Sequence, residues 1–395
     1  MMDHVDVLVV GGGIHGVGVA QAAAAAGYTV LLVEERHLAA GTSSRSSKLI
    51  HGGLRYLESG QYSLVHESLR ERAILLRVAP HLVVRRDFLL PLYHDSRRGP
   101  WTMRAGLTLY WLLAGLRLHT GWGSIAKSRW AELDGLSTHE LQAVLRYSDA
   151  CTDDAALTRA VAASARELGA TVLEGTRLHA ATKTARGWQV QLQHEDTLST
   201  VACAVLVNAA GPWVEQVRAR VQPPPPSSPV SLVAGTHIEL RGALQHGPYY
   251  FEARDGRGIF AIPWHGRTLV GTTERVHVED PALVAPTTAE VEYLQSEYAR
   301  RFPTRSTQVE SAWAGLRVLP ADGAVFHRAR ETVLVVDEEA HPRWLAIYGG
   351  KLTGYRAAAE RIVRRLAPSL PARTRRADTR TLRLPLDPSG VRLDR

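Results

Sequence analysis

The chain opens with a nearly unbroken apolar run at residues 5–10, polar only at Asp6, and such a run predicts a buried strand. It breaks at GGGIHG, passes into an Ala-rich stretch that stops at Gly27, and resumes as a second apolar strand at 29–33, ending on Glu34. Over 62–78, Leu64, Leu69, Ala73 and Leu76 recur at helical spacing, and Pro80 ends that helix. Residues 83–93 read as two strands broken at Arg85–Arg86, and 101–116 as a mostly apolar helix that suits either a core or an interfacial position. An amphipathic helix follows at 158–168. Strands are expected at 171–173, 178–184, 188–193 and 197–202, and a buried strand at 205–207 runs into NAAGPW. QPPPPSSP (222–229) predicts a stiff, exposed connector. Beyond it, 236–240, 249–252, 258–263 and 268–271 are spaced as consecutive antiparallel strands. A helix at 289–302, strands at 313–319 and 344–348, and a glycine turn with a last helix at 349–366 complete the pattern. The Pro- and Arg-rich residues after 366 are expected to be loosely ordered. No internal repeat is present.

The first tenth of the chain carries chemistry. Strand, glycine turn, helix, strand and terminal acid, in that order, form the G-x-G-x-x-G βαβ unit that binds an adenine dinucleotide. Gly11 permits the tight turn, Gly13 admits the pyrophosphate to the backbone, and Gly16 lets helix and strand pack closely. The helix N-terminus offers N–H groups and a positive dipole end. Glu34 is placed for a ribose 2′-hydroxyl and disfavours a 2′-phosphate. Residues 7–33 carry no formal charge, but the glycines, His15 and Gln21 interrupt them too often for a membrane span.

Composition adds bounds. The 395 residues are 45% apolar and 22% charged, ordinary for a globular protein of two domains or one large α/β body. Two cysteines, Cys151 and Cys203, imply no disulfide framework and fit a reducing cytoplasm. Four residues precede the first strand, so no signal peptide is expected. The net charge of +8 is scattered rather than striped and comes with no nucleic-acid motif, which leaves anionic substrates, cofactors and membrane surfaces as compatible partners.

Residues 42–58, TSSRSSKLIHGGLRYLE, resemble the signature of the FAD-dependent, quinone-linked, aerobic-type glycerol-3-phosphate dehydrogenases. The resemblance continues in order through RERAILLRVAPHL, YSDACTDDAAL, LVNAAGPWV, GTHI, IPWHGRTLVGTTE, GLRVL and YGGKLTGYR, covering roughly residues 4–366. It implies a two-domain α/β flavoprotein of D-amino-acid-oxidase-like architecture. A Rossmann-like FAD-binding domain would comprise 1–80, 145–220 and 308–370. A mixed antiparallel-sheet substrate domain would comprise 81–144 and 221–307, with 371–395 as a tail. It also implies a reaction: oxidation of sn-glycerol 3-phosphate to dihydroxyacetone phosphate by hydride transfer from C2 to flavin N5, with electrons passed to quinone. Implied partners are glycerol 3-phosphate, quinone, the inner face of the cytoplasmic membrane and a second copy in a homodimer; neither nucleic acid nor a metal is among them.

The candidate residues follow from both readings. FAD contacts are expected from Gly11, Gly13, Ile14, His15, Gly16 and Glu34 and from Thr42, Ser43, Ser44, Ser47, Lys48, Leu49, His51 and Gly52. More are expected from Ala210, Gly211, Trp213, Gly315, Arg317, Gly350, Lys351, Leu352 and Thr353. Arg55 and Arg317 suit a phosphate dianion because the guanidinium fork matches its oxygens, with Tyr56, His237 and Lys351 alongside. His51 is a candidate general base, with His237, Arg317 and Lys351 as competitors for catalytic roles. Three departures from the family stand out: the sequence stops at Arg395, about where the family's C-terminal helical domain would start, GTTE ends in Glu274 where Asp is expected, and the proline run 223–226 is unusual. The open alternatives are an FAD enzyme acting on another hydroxy acid or an amino acid, and a flavin-binding remnant without turnover.

Overall fold

The computed structural model describes residues 3–116, 121–321, 332–387, 389–391 and 393. Two sheets organise them. The first has the order Val221–Gln222, Thr176–Thr184, Gly187–His194, Thr197–Asn208, His4–Val10, Val30–Val33, Thr171–Leu173, and Trp344–Tyr348 also joins Thr197–Asn208. His4–Val10 lies parallel to Val30–Val33 on one side and to Thr197–Asn208 on the other. Parallel strands buried on both faces need continuous apolar sequence, and every residue from Val5 to Val10 is buried. Helix Ile14–Ala25 packs against this layer between Asp154–Glu167 and Tyr355–Leu366, tied by a Gln21-to-Ser164 hydrogen bond of 2.9 Å.

The second sheet runs Arg275–His277, Val230–Arg241, Arg267–Gly271, Gly258–Trp264, Tyr249–Glu252, Val83–Tyr93, Leu141–Thr152, Leu49–Ile50. Val309–Pro320 pairs along the whole of Val230–Arg241. This mixed, largely antiparallel sheet beside a Rossmann-like layer is the architecture expected from sequence. Leu141–Thr152 lies in the second sheet throughout, past the expected boundary at 145, and Val309–Pro320, expected with the cofactor-binding part, is hydrogen-bonded in the second sheet.

Several local expectations are corrected. Val83–Tyr93 is one strand, because Arg85 and Asp87 turn outward while the ladder to Leu141–Thr152 continues past them. Residues 197–208 likewise form a single strand. The helix expected from 158 starts at Asp154, capped by the Asp153 carboxylate, which accepts the Ala156 N–H at 2.8 Å. The tail after 370 has no helix or strand among its described residues, yet it is docked. Arg373 forks onto Asp6, Asp387 pairs with Arg159, and the Leu384 N–H reaches the Val78 carbonyl. Helix Pro100–Leu113 buries Met103, Leu107 and Tyr110 and leaves Trp101 80% exposed; no helix among the described residues is long and apolar enough to cross a membrane.

Candidate active site

A cavity of about 570 Å³ runs from the first glycine turn to the second sheet. Its near end is built by the βαβ unit. Gly11 sits at φ +111°, a left-handed conformation that favours glycine, and a Cβ on Gly16 would lie 1.9 Å from the Gly11 carbonyl oxygen. The Glu34 carboxylate accepts the Gly12 N–H at 2.6 Å and the Arg36 N–H at 2.9 Å, so the strand-end acid braces the turn and still borders the cavity. His15 faces the far turn, where a Cβ on Gly350 would meet its Nε2 at 2.4 Å. Burial, with Arg361 second, lowers the His15 pKa to about 4, and neither ring nitrogen has a hydrogen-bond partner among the described residues.

The hydroxyls of the loop after residue 41 also bond to the protein itself. Thr42 Oγ1 donates to the Leu316 carbonyl at 2.7 Å, Ser43 Oγ accepts the Ile14 N–H, and Ser47 Oγ bonds His237 Nε2 at 2.8 Å. Most of these hydroxyls lock the loop while leaving it along the cavity. Lys48 is the clear correction. It does not border the cavity; its ammonium is buried against Asp154 Oδ1 and the Ser44 carbonyl, as a buried charge must be paired. Gly16, Ser44 and Gly52 also lie behind the wall, whereas the other expected residues line the cavity.

At the far end Arg317 donates Nη2 to Thr272 Oγ1 at 3.0 Å and lies 3.6 Å from the Glu274 carboxylate. Lys351 holds its ammonium 3.5 Å from the centre of the Tyr56 ring, a cation–π contact. Arg55, next to Tyr56, has no carboxylate partner among the described residues. The His51 backbone is clasped by Thr353 Oγ1, and its ring meets Phe260 edge-on at 6.1 Å. His237 is stacked on Trp313, and burial, then Arg317 and Lys48, depress its pKa to about 3, so it is neutral at physiological pH. Tyr250, Phe260, Arg45 and Arg257 also border the cavity and were missed from sequence; strand register places Tyr250 opposite Phe260, while Arg45 lies in the 42–48 loop and Arg257 just before the strand Gly258–Trp264. Glu274 was noticed only as a departure from the family.

A family model described as FAD dependent oxidoreductase matches residues 6–356. The chain belongs to that family. It is 39% identical over 375 residues to a glycerol-3-phosphate dehydrogenase from Pseudomonas aeruginosa, covering 92% of this chain and 72% of that protein. It is 38% identical to a D-erythritol 1-phosphate dehydrogenase from Brucella abortus, covering 93% and 74%. Among solved structures, the Bacillus halodurans glycerol-3-phosphate dehydrogenase complexed with FAD superposes with a TM-score of 0.74 at 29% identity, over 97% of this chain and 68% of that one. The residues present fit FAD in this FAD-dependent oxidoreductase. The turn around Gly11 has the close backbone a pyrophosphate needs, the strand-end acid Glu34 borders the cavity beside it, and buried, unsatisfied His15 borders the path between the two glycine turns.

Proposed function

We propose that the protein oxidises sn-glycerol 3-phosphate to dihydroxyacetone phosphate and passes the electrons to quinone. The observation that carries this reading is the set of three cationic side chains, Arg55, Arg317 and Lys351, that line the same cavity as His51. A phosphate dianion matches guanidinium forks, and an amino acid carboxylate would use a single one. Arg55 and Arg317 hold the phosphate, Tyr56 packs beside it, and Lys351 is kept in place over the Tyr56 ring. His51 takes the proton of the C2 hydroxyl. His237 is a poorer base, being depressed to about 3 and already bonded to Ser47. FAD, when bound, supplies the two-electron acceptor for the carbinol hydride. The expected FAD contacts at the other cavity-lining positions belong to the same proposal.

The test is an anaerobic titration of the FAD-loaded protein. Glycerol 3-phosphate should bleach the oxidised flavin band, and bound flavin that stays oxidised sinks the reading. A second reading, a four-carbon polyol phosphate as substrate, is favoured by the similarity to the Brucella abortus enzyme; erythritol phosphates in the same titration separate the two. Quinone is tested by reoxidation with a short-chain quinone. Peripheral contact with the inner face of the cytoplasmic membrane rests on exposed Trp101, Leu112 and Leu116 near Arg97 and Arg98; Arg117 lies outside the described residues. Failure to sediment with anionic vesicles at low salt would remove it. The homodimer is tested by sedimentation velocity.

A further inference from the structure

Behind the wall that carries His51 and Arg55 lies a buried chain of polar groups with no assigned role. The Gly52 N–H donates to Tyr110 Oη at 2.8 Å, and Tyr110 Oη donates to Asp149 Oδ2 at 2.7 Å. The other Asp149 oxygen is gripped by Arg72, which also donates to the Ser148 carbonyl at 2.9 Å. Tyr110, Asp149 and Arg72 are each no more than 4% exposed. The direction of the chain is fixed. Burial, then Asp149, raises the Tyr110 pKa well above its usual range, so the phenol stays protonated, gives its one proton to the carboxylate and can only accept from Gly52. The fit is also steric, since a Cβ on Gly52 would lie 2.5 Å from the Tyr110 oxygen and 2.7 Å from Leu69.

Gly52 is the residue after His51, and Gly53, at φ +81°, turns the chain into the short helix Leu54–Leu57 that carries Arg55 and Tyr56. On the cavity side the same segment is held by Thr353, which bonds both the N–H and the carbonyl of His51. The segment is thus clamped from two sides, by Thr353 in front and Tyr110 behind. We propose that Tyr110, backed by Asp149 and Arg72, is a positioning residue that fixes the His51–Tyr56 segment against the substrate. Because Tyr110 lies on helix Pro100–Leu113, a surface helix is thereby wired to the reacting end of the cavity. The inference rests on the reading of His51 and Arg55 as substrate-side groups.

The experiment compares Tyr110→Phe with wild type in the FAD-loaded protein. The phenylalanine fills the same space but leaves the Gly52 N–H and Asp149 Oδ2 without their partner. Flavin content should be unchanged, while the rate of flavin reduction by saturating glycerol 3-phosphate falls by about ten-fold or more, as misplacement of a reacting group does. Amide hydrogen exchange over residues 49–57 should speed up in the same variant. Asp149→Asn made together with Arg72→Gln, which removes the buried charge pair as a unit and keeps the phenol in place, should show both effects in smaller measure and serves if Tyr110→Phe does not fold. A variant with a lowered melting temperature but wild-type reduction rate and wild-type exchange at 49–57 overturns the inference. If glycerol 3-phosphate reduces neither protein, the functional reading has failed, and the exchange measurement alone decides whether Tyr110 holds the segment.

Discussion

Replacing Arg317 with alanine separates two contributions that the structure lets one size independently. The guanidinium is 19% exposed, bonds Thr272 Oγ1 at 3.0 Å, and faces a Glu274 side chain that is only 6% exposed. Removing it takes a cationic neighbour from that carboxylate in a poorly solvated place, a loss of about 1–3 kcal/mol of folding stability. The larger effect falls on substrate. Two charge-assisted hydrogen bonds from the fork to a phosphate dianion contribute about 3–5 kcal/mol together. At ~1.4 kcal/mol per decade, kcat/KM for glycerol 3-phosphate drops by two to three and a half decades, roughly 10²-fold to a few thousand-fold. Arg317→Lys should recover part of this, because it restores the charge without the bidentate geometry. The assay is anaerobic flavin reduction against glycerol 3-phosphate concentration, with flavin content checked first. A kcat/KM within about three-fold of wild type in Arg317→Ala would refute the phosphate role, since no geometry with the fork on the phosphate costs so little.

Three further outcomes follow from the same geometry. Gly16→Ala would set a Cβ 1.9 Å from the Gly11 carbonyl oxygen, a backbone atom that cannot swing aside, and should weaken FAD binding by about ten-fold or more, read from flavin retained on purification. Lys48→Met leaves Asp154 buried and unpaired, so the urea midpoint should fall by the equivalent of about 3–5 kcal/mol, with a smaller loss of kcat/KM than in Arg317→Ala. His15 is held to about 4 in the folded protein against ~6.5 unfolded, so below pH 6.5 the unfolded chain binds the extra proton and stability is lost down to about pH 4. The drop in urea midpoint between pH 7 and pH 5 should therefore shrink in His15→Gln; an identical drop would refute it.

What could be read from sequence was local or strongly patterned. The βαβ unit was legible because each of its parts is a short-range signal, and all but a few of the expected site residues line one cavity. The misreadings share a cause. Arg85–Arg86 looked like a break because polar residues interrupt the apolar run, but a strand tolerates outward-facing charge wherever its ladder is paired, here to residues some sixty positions away. Lys48 looked like a cofactor contact because it sits between Ser47 and Leu49, which do line the cavity. Its partner, Asp154, lies 106 residues on, and no spacing rule links them. The tail looked disordered from composition, yet Arg373 and Asp387 find partners 367 and 228 residues distant. The Asp153 cap, by contrast, was readable and overlooked: an Asp pair before an apolar helical run is a start signal.

The second sheet explains why glycines sit where strand propensity argues against them. Gly235 and Gly315 face each other in register on Val230–Arg241 and Val309–Pro320, and Gly271 lies opposite His237 on the next strand. A strand glycine costs order and side-chain packing, so three of them converging on one site need a shared cause. At Gly235 a Cβ would fall 2.6 Å from the Arg317 guanidinium, at Gly271 2.2 Å from the His237 ring, and at Gly315 2.8 Å from the Arg45 carbonyl. Each vacancy is filled by a residue of the site or by the loop bearing its hydroxyls. GTHI, GLRVL and GTTE each begin on one of these glycines, so what the blocks have in common is a strand thinned at the point where the cavity wall is two layers deep. That thinning lets Arg317 fold back beside Thr272 and Glu274 and lets the 42–48 loop pass beneath it, which places a cationic group and a hydroxyl loop on one cavity wall.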